Sequence, residues 1–250
     1  MGESTARMLR DSPLIETALS VAVVTPRMSR DDMLGFCKEN AHGFVKWREI
    51  EERNVVFSFM GKPSVDDKKA WSGWQFKKDD NLFLTLKNER DTVVFSFSVM
   101  RPYTSWSVLH QHAKPILDAF LSLFHSPSLA RIGIRSINRL FAPYVNCPMT
   151  DILKTIPPYV AGLQNPSMYG FSYQDTIYYP QFNLLSTVRR FSQQVPNDPR
   201  FAAILDIDVF TPPDKMFVVG ELASLTEKIV ELKDRIFFGS IGKKCLEAYS

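Results

Sequence analysis

The chain has 250 residues, of which 45% are hydrophobic and 23% are charged, and its formal net charge is +3. That length accommodates one large domain or two closely packed halves, and the composition is typical of a globular protein. So small a net charge does not by itself indicate nucleic-acid binding. The three cysteines lack metal-ligand spacing, the first residues are polar, and no apolar run would span a bilayer. We therefore expect a cytoplasmic protein without a disulfide framework or a membrane segment.

The first hundred residues predict an antiparallel sheet that contains one helix. An apolar run predicts a first strand at 14–24, and apolar side chains at helical spacing predict a helix that starts near Ser29 and stops at Gly43. A polar turn is predicted at 61–69. Further strands are predicted at 45–51, 55–60, 71–77, 81–87 and 92–100.

The apolar period then becomes helical. Thr104 or Ser105 would cap a helix that reaches about residue 124, and Pro115 predicts a kink in it or a late start. A short helix is predicted from about Thr150 and would end at Pro157-Pro158. The remaining predicted elements are strands at 129–141, 170–179, 182–193 and 201–210 and a final amphipathic helix at 220–238.

An approximate internal repeat organises these elements. A strand, a proline turn and a long helix at 93–124 are paralleled by the same three elements at 203–237. Neither helix could bury its apolar stripe without a sheet beneath it. We therefore predict an α+β fold with mainly antiparallel sheets, built from two β-meander-plus-helix halves, 1–128 and 129–250, that share a core and form two units or one continuous domain.

The predicted strands at 129–141 and 201–210 carry opposite charges. Because side chains alternate along a strand, Arg131, Arg135 and Arg139 share one face, and Asp206 and Asp208 share a face of their own strand. These charges would pair if the two strands were neighbours. The two carboxylates are also spaced to bind a divalent cation. A structural ion-pair ladder and a metal site therefore both stay open.

Aromatic and basic side chains mark further candidate positions. Trp71 and Trp74, which lie between lysine pairs, and Trp106 could stack on bases, form a protein-binding hot spot or anchor the core. The neighbouring Arg189 and Arg190 carry the same alternatives. Residues 101–200 hold nine Lys and Arg against four Asp and Glu, and such a basic stretch could follow phosphates or neutralise the acidic C-terminal part.

Several segments together resemble an uncharacterised, sporadically distributed prokaryotic family of similar length. The segments are Leu14–Ala18, Trp71–Phe76, Pro102–Trp106, Gly133–Arg139, Leu205–Phe210 and a C-terminal helix that closes on Phe237 or Phe238. The family's Ile-Asn-Arg element matches at Ile137, Asn138 and Arg139, whereas Ser136 stands where an aromatic residue is expected. The family has no assigned activity, so the resemblance implies no catalytic residues. Its patchy distribution resembles that of defence-associated genes, which implies an accessory or regulatory subunit.

Three functions remain open from the sequence. The first is a non-enzymatic binding or regulatory subunit of a prokaryotic defence or toxin-linked system, which acts through a protein partner and without a cofactor. A homo-oligomeric state also stays open. The second is a nucleic-acid-binding subunit that pairs with a guide-dependent, Argonaute-like nuclease. The third is a divalent-metal enzyme that uses Asp206 and Asp208. The candidate binding residues are Arg131, Arg135, Asn138, Arg139, Asp206, Asp208, Trp71, Trp74, Trp106, Arg189 and Arg190.

Overall fold

The structure, a computed structural model, describes residues 12–56, 64–101, 105–145, 147–154, 170–195, 198 and 200–249, with the backbone alone at 53–56 and 64–69. Ten strands and five helices are found among the described residues. The strands are β1 (Leu14–Val24), β2 (Val45–Val56), β3 (Ser64–Lys78), β4 (Leu82–Glu89), β5 (Thr92–Met100), β6 (Ser128–Phe141), β7 (Ser172–Tyr179), β8 (Leu184–Gln194), β9 (Phe201–Phe210) and β10 (Phe217–Val218). The helices are α1 (Arg30–Asn40), α2 (Trp106–Ser122), α3 (Met149–Ile152), α4 (Leu222–Ser240) and α5 (Lys243–Ala248).

The ten strands form one antiparallel sheet. Nine of them follow the order β2-β3-β4-β5-β1-β6-β9-β8-β7, and β10 pairs with β6. The central strands are thus β1 and β6, and the outermost strands are β2 and β7. This arrangement confirms the predicted α+β class with mainly antiparallel sheets.

One face of the sheet carries the helices and the apolar core. Leu19 of β1 and Phe95 of β5 are buried there, and the ring centroid of Phe95 lies 5.4 Å from that of Phe120 in α2. Ile229 of α4 belongs to the same buried cluster, as does Met33 of α1. None of the described helices is long and apolar enough to cross a membrane.

The predicted starts of helices α1 and α2 are confirmed at their capping residues. Ser29 caps α1 by accepting a hydrogen bond from the Asp32 N–H, and the side chain of Ser105 accepts one from the Val108 N–H at the start of α2. Thr104, the other predicted cap, lies outside the described residues. The predicted stop of α1 at Gly43 is wrong, since the helix ends at Asn40. The predicted late start of α2 is also wrong, because the helix begins well before Pro115.

The prediction was least accurate at β2 and β3. The break predicted after residue 51 is absent because β2 continues to Val56, and the polar turn predicted at 61–69 is wrong over 64–69 because β3 begins at Ser64. Residues 57–63, which include most of the predicted strand at 55–60, lie outside the described residues. The physical reason is that β2 is an edge strand, and an edge strand accepts charged residues that hide the usual apolar alternation.

The C-terminal part differs from the prediction at short elements. The α3 helix ends at Ile152, so the predicted end at Pro157-Pro158 is wrong, and those prolines lie outside the described residues. Neither β10 nor α5 was predicted. The α4 helix begins at Leu222, after one 3₁₀ turn at Val219–Glu221.

A close approach of β3 to β4 depends on Gly73. A Cβ added to Gly73 would lie 2.1 Å from the Leu86 carbonyl oxygen and 2.8 Å from the Lys87 Cα, both of which belong to the backbone of β4. Backbone atoms cannot move aside as a flexible side chain can. We therefore expect Gly73→Ala to lower the free energy of unfolding by about 1–3 kcal/mol, measured by urea denaturation.

Gly35 provides the matched control for this substitution. A Cβ at Gly35 would meet nothing within 4 Å, and the residue lies inside α1. Gly35→Ala should therefore raise the free energy of unfolding by about 0.5–1 kcal/mol. If both substitutions changed stability equally, the close approach of β3 to β4 would be refuted.

Candidate functional site on the open face of the sheet

The face of the sheet opposite α1, α2 and α4, here called the open face, contains a cavity of about 250 Å³. Small side chains leave this space at the centre of the sheet. Ala18 and Ser20 of β1 and Ser96 and Ser98 of β5 line the cavity, and Gly133 of β6 lines its other side. The register places Ser20 directly opposite both Ser96 and Gly133. A row with so little side-chain volume leaves room for groups from another molecule.

Arginines of β6 and aspartates of β9 form a network at one side of this cavity. Arg131 Nη2 donates to both carboxylate oxygens of Asp208, at 3.1 and 2.8 Å. Arg135 donates from Nε and Nη2 to the two oxygens of Asp206, at 2.8 and 2.7 Å. Arg189 of β8 approaches Asp206 at 3.8 Å. The predicted pairing of these two strands is therefore present in the structure.

The arginines reach diagonally along the sheet rather than straight across it. Arg135 lies directly opposite Asp208 in the register, yet its guanidinium bonds Asp206, which lies opposite Ile137. Arg131 reaches farther in the same direction, to Asp208, which lies opposite Arg135. It does so by lying over Gly133, where an added Cβ would be 2.8 Å from Arg131 Nη1. The glycine therefore provides the space that this diagonal pairing requires.

Burial governs the ionisation of the network. Burial raises the pKa of the Asp208 carboxyl above its ordinary value of 3.8, and this effect outweighs the opposing attraction of Arg131 and Arg135. The hydrogen bonds from Arg135 to Asp206 raise the pKa of the Arg135 guanidinium, which keeps it charged. The network thus joins arginine side chains to carboxylates that are partly removed from water.

Other candidate residues lie elsewhere. Arg139 belongs to the open face, but it donates to Gln193 at 2.9 Å and not to an aspartate. Asn138 is buried on the helix-covered face, where it donates to the Leu205 carbonyl oxygen at 3.2 Å. The candidate residues Asn138 and Arg139 therefore do not form one site with Asp206 and Asp208, because Asn138 points to the opposite face and Arg139 bonds Gln193 instead.

The predicted tryptophans do not line the cavity. Trp74 is 2% exposed and belongs to the core, and Trp71 packs against it with ring centroids 6.1 Å apart. Trp106 lies at the start of α2 and packs on His110, with ring centroids 5.6 Å apart. Arg190 is buried on the helix-covered face of the sheet and bonds Asp175 at 2.9 Å.

Sequence reasoning missed an exposed aromatic residue on the open face. Trp47 is 49% exposed, its ring centroid lies 5.2 Å from that of Phe83, and the guanidinium carbon of Arg48 lies 4.6 Å from the Trp47 ring. Glu16, Gln75 and the small residues of the cavity were also missed. A polar or small residue on an alternating strand gives no sign of which neighbours it will meet.

The carboxylates of the network are poorly placed to bind a metal ion. Both oxygens of Asp206 and both oxygens of Asp208 accept arginine N–H groups. Among the residues that the structure describes, no group of three or more His, Cys, Asp and Glu side chains could hold a metal ion. The geometry therefore gives the metal alternative no support.

Comparisons with models of known protein families, with curated proteins and with solved structures found no match to this chain. The open face must therefore be interpreted from its own geometry.

A double-mutant cycle tests the pairing of Arg135 with Asp206. Only 6% of the Asp206 side chain is exposed, against 46% for Arg135, so removal of the arginine leaves a buried carboxylate with weaker compensation. We expect Arg135→Gln to lower the free energy of unfolding by about 1–3 kcal/mol. In a cycle with Asp206→Asn, the coupling should be about 0.5–3 kcal/mol, measured by chemical denaturation.

Arg139 provides the matched control for this cycle. It lies on the same strand and face but bonds Gln193, so Arg139→Gln and Asp206→Asn should be additive within about 0.5 kcal/mol. Equal coupling in the two cycles would contradict the diagonal pairing.

Asp208→Asn tests the burial of the second carboxylate through its pH dependence. Because the folded-state pKa lies above 3.8, the contribution of Asp208 to stability is fully present below that pH and is lost as the pH rises through the folded-state pKa. The free energy of unfolding of the natural chain minus that of Asp208→Asn should therefore decrease from acid to neutral pH. Urea titrations at a series of pH values measure this difference. An increase with pH would show that the arginines outweigh burial.

Proposed function

We propose that this chain is a non-enzymatic binding protein whose open face holds a polar surface of a partner protein. One observation carries the proposal: the cavity is uncovered by the described helices and is lined by balanced charges. Glu16 and Asp208 line it together with Arg131 and Arg135, which gives two carboxylates and two guanidiniums. A surface of mixed charge complements a partner surface that also carries both signs.

The paired state of the charges supports a binding role over catalysis. Asp206 and Asp208 each accept two arginine hydrogen bonds, which occupy the oxygen atoms that a catalytic base or metal ligand would use. The other polar groups of the cavity are instead the hydroxyls of Ser20 and Ser96 and the side-chain oxygen of Gln75, whose amide nitrogen donates to Thr85. These groups form directional hydrogen bonds across protein interfaces.

The resemblance stated above provides the biological setting of the proposal. A family with a sporadic distribution suggests an accessory or regulatory subunit in a prokaryotic defence or toxin-linked system. The open face would then be the surface through which the subunit contacts the other component of that system.

A second candidate function is nucleic-acid binding, and Trp47 is the observation that favours it. An exposed tryptophan beside Arg48 can stack on a base, and Arg131, Arg135 and Arg189 lie farther along the same face. Against this candidate, Arg131 and Arg135 are already paired with aspartates, so they offer little net charge to phosphates.

Two matched serine substitutions test the proposed function. Ser96→Tyr fills the cavity and keeps every residue of the ion pairs, whereas Ser224→Tyr places the same side chain at an exposed position of α4 on the other face. With tagged chains expressed in the native host, proteins retained by the natural chain should be lost from Ser96→Tyr and kept by Ser224→Tyr. Equal thermal stability of the two variants would establish that both are folded.

The outcomes separate the candidate functions. Retention of the same proteins by Ser96→Tyr would refute the open face as the binding surface. Recovery of nuclease-sensitive material whose binding weakens steeply with salt would instead support the nucleic-acid candidate, because salt competes with phosphate contacts.

A further inference from the structure

The two outermost strands of the sheet differ in how they are protected from pairing. Strand β2 carries many charged residues, and its pairing with β3 contains three register shifts. Charges and irregularities of this kind hinder an edge strand from pairing with another chain. The charged residues of β2 are Lys46, Arg48, Glu49, Glu51, Glu52 and Arg53.

Strand β7, at the other edge, lacks this protection. Its eight residues pair with β8 without a register shift, and the sequence contains neither proline nor lysine. Its one charged residue, Asp175, is bonded by Arg190 of the neighbouring strand at 2.9 Å. Tyr173, Ile177 and Tyr178 are exposed by 43–48%. Within the described part of the chain, no strand pairs with the outer edge of β7. A regular edge strand whose single charge is already paired is suited to pairing with another strand.

We infer that the outer edge of β7 pairs with β7 of a second copy of this chain, antiparallel and across a two-fold axis at Thr176. Such an interface must be self-complementary, because each residue meets a residue of the same strand. Thr176 would lie opposite its own copy. Asp175 would lie opposite Ile177, and Tyr173 would lie opposite Tyr179.

These pairs explain why a second copy suits this edge. The only acidic residue of β7 faces an apolar one, so no like charges oppose each other. Threonine pairs and aromatic pairs are among the favourable neighbours across antiparallel strands. A two-fold axis perpendicular to the sheet would also keep both open faces on the same side of the dimer. The inference stands independently of the proposed function.

A lysine substitution on the axis tests the pairing. Thr176→Lys places two like charges directly opposite each other, and analytical ultracentrifugation of the full chain over serial dilution measures the effect. We expect the natural chain to form a dimer and Thr176→Lys to weaken its dissociation constant by about tenfold or more. Val45→Lys on β2, a residue that is 65% exposed, should leave the dimer unchanged.

A cysteine on the same axis distinguishes this dimer from other dimers. In Thr176→Cys, the two thiols would face each other at a distance that suits a disulfide. Oxidised glutathione would accept the two electrons and two protons as the bond forms. Because Cys147 is partly exposed, these chains all carry Cys147→Ser, and the remaining natural thiols, Cys37 and Cys245, are buried. Covalent dimers are expected for Thr176→Cys but not for Val45→Cys or for the Cys147→Ser chain alone.

Three results would overturn the inference. One is a natural chain that stays monomeric at every concentration. Another is a dimer that Thr176→Lys leaves intact, which would place the interface elsewhere. The third is cross-linking of Val45→Cys that equals or exceeds that of Thr176→Cys. If the chain is monomeric and Thr176→Lys loses a protein that the natural chain retains, the partner of β7 is a strand of that other protein and not a second copy.

Discussion

The antiparallel pairing of β1 with β6 is the interaction on which the rest of the sheet depends. On one side β1 continues through β5, and on the other β6 continues through β9. On the helix-covered face, Leu19 and Val21 lie opposite Ile134 and Ile132, and apolar pairs of this kind bury surface from both strands. Strand β1 thus joins β2–β5 on one side to β6–β9 on the other, and the two groups of strands share one apolar core.

The same pairing creates the open face. The large apolar residues of these pairs lie on the helix-covered face. On the other face, Ala18 lies opposite Arg135 and Ser20 lies opposite Gly133. The small residues of β1 leave this space open, and the guanidiniums of Arg131 and Arg135 at its other side extend toward the aspartates of β9. Because this face lies at the centre of the sheet, the cavity is bounded by strands on both sides. Its position is therefore a consequence of strand order and not of a loop.

The balance of charge limits what this face can bind. Arg135 and Asp206 already satisfy each other, so a ligand that offered only a carboxylate or a phosphate would have to compete with a bidentate pair that is partly removed from water. A partner that brings both signs can extend the network without breaking it. This difference supports a protein surface as the occupant over a nucleic-acid backbone.

The sequence predicts the strands β1, β5 and β9 at or near their observed bounds, because each is an apolar run that ends at turn or proline residues. Alternation also assigns Arg131 and Arg135 to one face. It does not give the strand order, which requires pairing between residues such as Ser20 and Gly133 that are far apart in the chain. It also does not show how far a side chain reaches. For that reason alternation does not distinguish Arg139 from Arg135 as a partner of Asp206, although only Arg135 of the two bonds it.

Register shifts in the pairing of β2 with β3 determine which tryptophans are exposed, and these shifts cannot be predicted from the composition. Ser72 is an extra residue of β3, since Gly73 pairs with Ile50 and Trp71 with the adjacent Glu51. This bulge turns Trp71 and Trp74 toward the same, core side, although strict alternation would separate two residues spaced by three. Trp47 is likewise an extra residue of β2 and covers Phe83 on the open face. Two inserted residues therefore reverse what the tryptophan spacing predicts: Trp71 and Trp74 pack in or against the core, and Trp47 is exposed on the open face.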